Sequence, residues 1–295
     1  MDNRPKKLFK KIIISLLVLG LFLPLEKRAY AEVTLKSLLK EIAEKVTEIA
    51  DLRKDKTLSS EDRIQKEMSA RREALLKIFD LTLLEDSDLK TKLTGIKNLN
   101  ADQEKIRVKL LGLLTENESS YSEMKTRLDN AKSIEEVKQL AADFKNWRSA
   151  VYNSKVEKIV SFTLVFQQKK TLGLSFERLE KIKAELKKME SEDLIKKEDT
   201  EKLLQKSLSN LEQAGKFNDR AEAILLIALA KEFFPPKSKI MTKPVTPPEM
   251  KLTDENNKES PTVKSLVKQS LLYTKLAYKY FIEIGKIAKE KVGAH

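Results

Sequence analysis

From Ile134 to Lys170 neither glycine nor proline interrupts the chain, and this run constrains the fold more than any other stretch. Ser133 and Glu136 place an S-x-x-E capping box at its start, where two side chains can satisfy backbone N–H groups that no helical turn reaches. One long helix is therefore predicted. At about 100° per residue, Val137, Leu140, Ala141, Phe144, Trp147 and Val151 share a face. Past Tyr152-Asn153-Ser154 that face meets Lys155 and Lys158, and then Ile159, Val160, Phe162, Leu164, Val165 and Phe166 spread around most of the circumference. The pattern predicts a kink near Asn153 and, beyond it, a tract enclosed by more than one neighbour. A charge at Phe162 is expected to unfold the body, and the same change at Phe144 to cost less.

The same periodicity extends through most of the chain. Leu35, Leu38, Leu39, Ile42, Val46, Ile49 and Leu52 make one apolar stripe that ends around Lys54 to Leu58. Ser59 and Asp62 cap a partner helix carrying Ile64, Met68, Leu75, Ile78 and Phe79, so the pair should fold back as an antiparallel hairpin. Turns are expected at Asp86-Ser87-Asp88 and at Gly95 to Asn100. Asn100 with Gln103 then caps a helix read as continuous through Ile106, Leu110, Leu113 and Leu114 to about Leu128. Gly173 and Ser175 predict another turn, and Gly215 a junction between helices at 199–214 and 218–234. Ile224 to Leu229 is expected to pack in one core with Ile159 to Phe166. The fold class predicted is all-α: an elongated antiparallel helical hairpin array or bundle with coiled-coil-like packing.

The predicted organisation has four parts. Residues 1–31 read as a cleaved signal peptide, with a basic start (Arg4, Lys6, Lys7, Lys10, Lys11), an apolar run Ile12 to Leu25 too short to span a bilayer, and an A-x-A site at 29–31. A helical body occupies 32–234. Residues 235–261 form a linker containing Pro235, Pro236, Pro244, Pro247, Pro248 and Pro261. A C-terminal amphipathic helix occupies 262–295. Of the formal charge of +13, Glu32 to Phe234 contributes 39 basic against 37 acidic residues, so the excess outside the signal lies near the C-terminus. Cysteine is absent, so the fold stands on packing alone.

Residue types exclude most catalytic constellations. The only histidine is His295, which removes Ser-His and Cys-His pairs and H-E-x-x-H zinc sites. No glycines fall in phosphate-cradling spacing. Four S-x-x-K spacings, at Ser37/Lys40, Ser87/Lys90, Ser122/Lys125 and Ser265/Lys268, lack the companion motifs of serine–lysine hydrolases. The acidic clusters Glu85 to Asp88 and Glu190 to Asp193 read as turn and helix-terminus residues rather than metal ligands. No enzyme activity, cofactor or metal is predicted.

The final helix is the one stretch whose pattern points to a partner. Lys264, Lys268, Lys275, Lys279 and Lys286 fall within about 60° of one another, and the middle of the helix is otherwise mostly apolar or aromatic, with Tyr273 and Tyr280 among its rings. Three destinations fit: its own body, a protein partner, or an anionic bilayer or envelope polymer. Nucleic acid does not fit, because no reading motif accompanies the basic residues. Two further readings from other classes are a membrane-active protein that binds anionic bilayers through this helix and a basic envelope chaperone holding unfolded clients. The leading expectation is an exported structural or interaction protein of the bacterial cell envelope: periplasmic, on the cell surface or extracellular, with no membrane span after signal cleavage.

Overall fold

A computed structural model of the chain describes residues 25–235 and 261–292. The basic and apolar parts of the expected signal, nearly all of the proline-rich linker, and His295 lie outside the described residues. Within them the fold is all-α: α1 (Leu25–Leu52), α2 (Ser60–Thr94), α3 (Ala101–Asn130), α4 (Ile134–Trp147), a π-helical turn (Arg148–Tyr152), α5 (Asn153–Ser191), α6 (Lys197–Phe233) and α7 (Val263–Val292). The chain divides into two compact units. One comprises the described residues up to Lys92 with Leu111–Lys155, the other Leu93–Leu110 with the described residues from Val156 onward.

In the first unit α1 and α2 form the predicted hairpin. Lys77 pairs with Glu41 at 2.7 Å and Arg53 with Glu67 at 2.9 Å, a descending match that only antiparallel helices make. The Ser59 cap is formed, its Oγ accepting from the Asp62 N–H at 3.1 Å. Helix α3 runs back along α2, with Lys90 reaching Glu118 and the Arg72 guanidinium donating to the Asp129 carbonyl. Helix α4 starts where its capping box predicts, the Glu136 N–H donating to Ser133 Oγ at 3.2 Å. The return arm of the box goes to the Lys132 N–H instead of that of Ser133. Phe79, Tyr121, Phe144, Trp147 and Tyr152 form the aromatic centre, with Phe79 and Phe144 edge to face at 4.9 Å.

In the second unit α5 and α6 are antiparallel: Lys158 pairs with Glu232 and Lys169 with Glu222. That register sets Ile159 to Phe166 beside Leu225 to Leu229. Helix α7 packs on both. Leu179 of α5, Leu211 of α6, and Ala277 and Phe281 of α7 make one buried cluster, and Leu186, Ile195 and Ile284 a second. The interface is partly polar. Gln168 donates to Ser270 Oγ at 2.9 Å and to Thr274 Oγ1 at 3.0 Å, all three residues buried. From the start of α3, Gln103 reaches Glu222 at 2.8 Å.

Four sequence expectations are corrected. Asp86 to Asp88 do not turn: α2 runs unbroken to Thr94, its Thr82, Glu85 and Asp86 buried on the packed face. Gly173 and Ser175 lie inside α5, where Ser175 Oγ donates to the Thr171 carbonyl. Gly215 lies inside α6 and has no positive φ. In each case burial along a long helix outweighs a local break signal worth about 1 kcal/mol. Near Asn153, where a kink or short break is expected, a π-turn ending at Tyr152 inserts one residue into the helical register. The chain reaches α5 with Tyr152 fully buried and Val151 outward at 40% exposure, the reverse of the α-helical expectation for Val151.

Candidate functional site

Thr262 caps α7, its Oγ1 accepting from the Ser265 N–H at 3.1 Å, and every 3.6 residues thereafter the helix returns an apolar or small side chain to the bundle. Leu266, Val267, Ser270, Thr274, Ala277, Phe281 and Ile284 are buried. Lys264, Lys268, Lys275, Lys279 and Lys286 are all exposed on the opposite side. Intramolecular docking therefore uses the apolar face and leaves the lysines outward.

The stripe is straight. Its intervals of four and seven residues repeat every eleven, which drifts only about 20° per repeat on an α-helix. At 1.5 Å per residue the five Cα positions span about 33 Å. Across the rest of the described chain lysines commonly pair with acids, as Lys77, Lys155 and Lys169 do. None of the five stripe lysines makes an ion pair among the described residues. Leu272 (50% exposed), Leu276 (37%) and Ile282 (61%) stand on the same outward side. Tyr273 and Tyr280 do not join this surface. Tyr273 stacks on Phe217 of α6 with ring centres 5.5 Å apart, and the Tyr280 ring lies 5.5 Å from Lys206 Nζ, also of α6.

A second polar constellation, unforeseen from the sequence, lies inside the first unit. The Arg148 guanidinium of the π-turn donates to Thr82 Oγ1 and to Glu85 Oε2, each at 2.7 Å. Tyr152 donates its hydroxyl to Asp86 Oδ1 at 3.0 Å. Burial pushes the Asp86 carboxyl up to about 7, against the Tyr152 hydrogen bond, while neighbouring Glu85 raises it further and Arg148 draws it back. Burial also raises the Tyr121 and Tyr152 phenols, keeping both protonated. Arg148 is disfavoured by burial yet held above its ordinary value, chiefly by Glu85. The signal was present in the residues: running the α2 stripe past Phe79 puts Thr82, Glu85 and Asp86 on the apolar face, where acids need partners.

Glu85 and Asp86 are buried, so neither carboxyl is open to a substrate. Among the described residues no group of three His, Cys, Asp or Glu side chains is placed to hold a metal. A cavity of about 430 Å³ between α5 and α6 is lined by Leu186, Leu204 and Leu208 together with Lys183, Lys187 and Lys197. Lys183 and Lys197 are paired with Glu180 and Glu201. No helix among the described residues is long and apolar enough to cross a membrane. No protein-family model, no curated protein and no solved structure matches the chain.

Proposed function

We propose that this chain is an exported, non-enzymatic helical protein of the bacterial cell envelope that works by presenting the outward face of α7 to a partner. The observation that carries the reading is the straight stripe of Lys264, Lys268, Lys275, Lys279 and Lys286, unpaired on a helix whose apolar face is already used. Charged side chains on a folded surface normally scatter in sign, and unbalanced lysines at regular spacing favour an anionic partner through long-range attraction. The basic, apolar and A-x-A segments of residues 1–31 support export with a mature start at Glu32.

Expression of the full chain in a bacterial host, followed by cell fractionation and N-terminal sequencing, tests both halves. The expected product starts at Glu32 and is retained with the envelope, and charge reversal of Lys268, Lys275 and Lys279 releases it into the soluble exported fraction. A cytoplasmic product with an intact N-terminus, or retention unaffected by the reversal, overturns the proposal.

A further inference from the structure

We infer that the outward face of α7 docks peripherally on an anionic bilayer surface, its lysines against lipid phosphates and Leu272, Leu276 and Ile282 against the headgroup boundary; this rests on the preceding reading of α7 as the interaction surface. Three observations favour a bilayer over an acidic protein. The face is built from lysine alone, without arginine. Lysine is a point charge on a flexible stem that suits mobile phosphates, whereas shaped carboxylate pairs are better met by the arginine fork. The stripe is straight over about 33 Å, which suits a planar target of diffuse charge. The large aliphatic residues beside it are exposed at 37–61%, and a lipid surface can take them without a complementary pocket.

The packing of α7 also limits how it binds. Leu266, Phe281 and Ile284 are committed to the bundle, so the helix cannot bury its strongest apolar face in lipid without leaving α5 and α6. Attachment is therefore electrostatic and reversible, with each lysine at the surface contributing about a fivefold change in partitioning. Glu283 and Glu290 are the only acids in α7, so little on the helix opposes the attraction.

Co-sedimentation of the mature chain with phosphatidylcholine vesicles, with and without one third phosphatidylglycerol, tests the inference. Binding is expected only to the anionic vesicles and should be lost in high salt. The K268E/K275E/K279E variant should lose at least about a hundredfold in partitioning with an unchanged thermal midpoint, because these side chains are exposed and unpaired. A control variant, K97E/K109E/K125E, makes the same change in net charge at other exposed lysines and should bind within about twofold of the parent. Binding to neither vesicle, equal binding to both, an unaffected stripe variant, or an equally weakened control each overturns the inference. Absence of vesicle binding alongside stripe-dependent envelope retention would leave the interaction reading standing and remove only the bilayer.

Discussion

Asp86 places a titration inside the fold at a pH where few other groups respond. Its carboxyl is raised from 3.8 to about 7, with Glu85 beside it on α2, Arg148 and Tyr152 facing it from the π-turn, and Tyr121 and Asn117 from α3. A carboxyl raised in the folded state holds its proton more tightly there. Its favourable contribution is complete below about pH 4 and is lost as pH rises through about 7. Urea unfolding followed at pH 5 and pH 8 should show the chain less stable at pH 8 by roughly 3 kcal/mol. Asp86→Asn, which can still accept from Tyr152, should flatten that dependence between pH 5 and pH 8. A pH profile unchanged by the substitution would show that Asp86 is ionised in the native state throughout. Arg148→Met should cost about 3–5 kcal/mol in the same assay, because it breaks the ion pair that Arg148 makes with the buried Glu85. Adding Glu85→Leu should recover much of that loss.

Register and continuity belong to the helix as a whole. Because the π-turn carries Val151 outward and Tyr152 inward, Val151→Lys should stay within about 0.5 kcal/mol of the parent, and Tyr152→Ala should cost about 3–5 kcal/mol. An uninterrupted α-helix would give the opposite order, and thermal unfolding of the two variants decides. The glycines mistaken for turns make a complementary prediction. Gly173 and Gly215 sit in helix interiors, and an added Cβ at either position meets nothing within 4 Å. Gly173→Ala and Gly215→Ala should each stabilise the chain by about 0.5–1 kcal/mol, read as a higher urea midpoint. Either substitution would be destabilising if the helix ended there in a left-handed residue. Hairpin order, caps and helix phase were legible from local patterns at Ser59, Asn100 and Ser133. The three false turns were misread because local propensity is weak beside the burial of helices more than thirty residues long.

For the whole molecule, the division into two compact units changes the meaning of a core mutation. Phe144 (4% exposed) lies in the first unit and Phe162 (fully buried) in the second, so burial gives no basis for ranking their costs as the sequence pattern does. Phe144→Asp and Phe162→Asp should both be severely destabilising. Hydrogen exchange should show the first loss of protection within the mutated unit: residues 60–92 and 111–155 for Phe144→Asp, residues 93–110 and 156–233 for Phe162→Asp. Simultaneous loss across both units in either variant would show that they unfold as one.

The amino-acid sequence by itself determines that this chain is helical, where most of its helices begin, and that one helix carries five lysines in line, because capping and amphipathic period are written in residues three or four apart. Only the tertiary structure decides which face of α7 is free. That depends on α5 and α6, whose residues lie as much as a hundred positions away or more, through contacts such as Gln168 to Ser270 and Thr274. The same holds for the acids at 85 and 86. They read as a turn until Arg148 and Tyr152, more than sixty residues later, arrive beside them and supply the charge and hydroxyl that let a helix bury them.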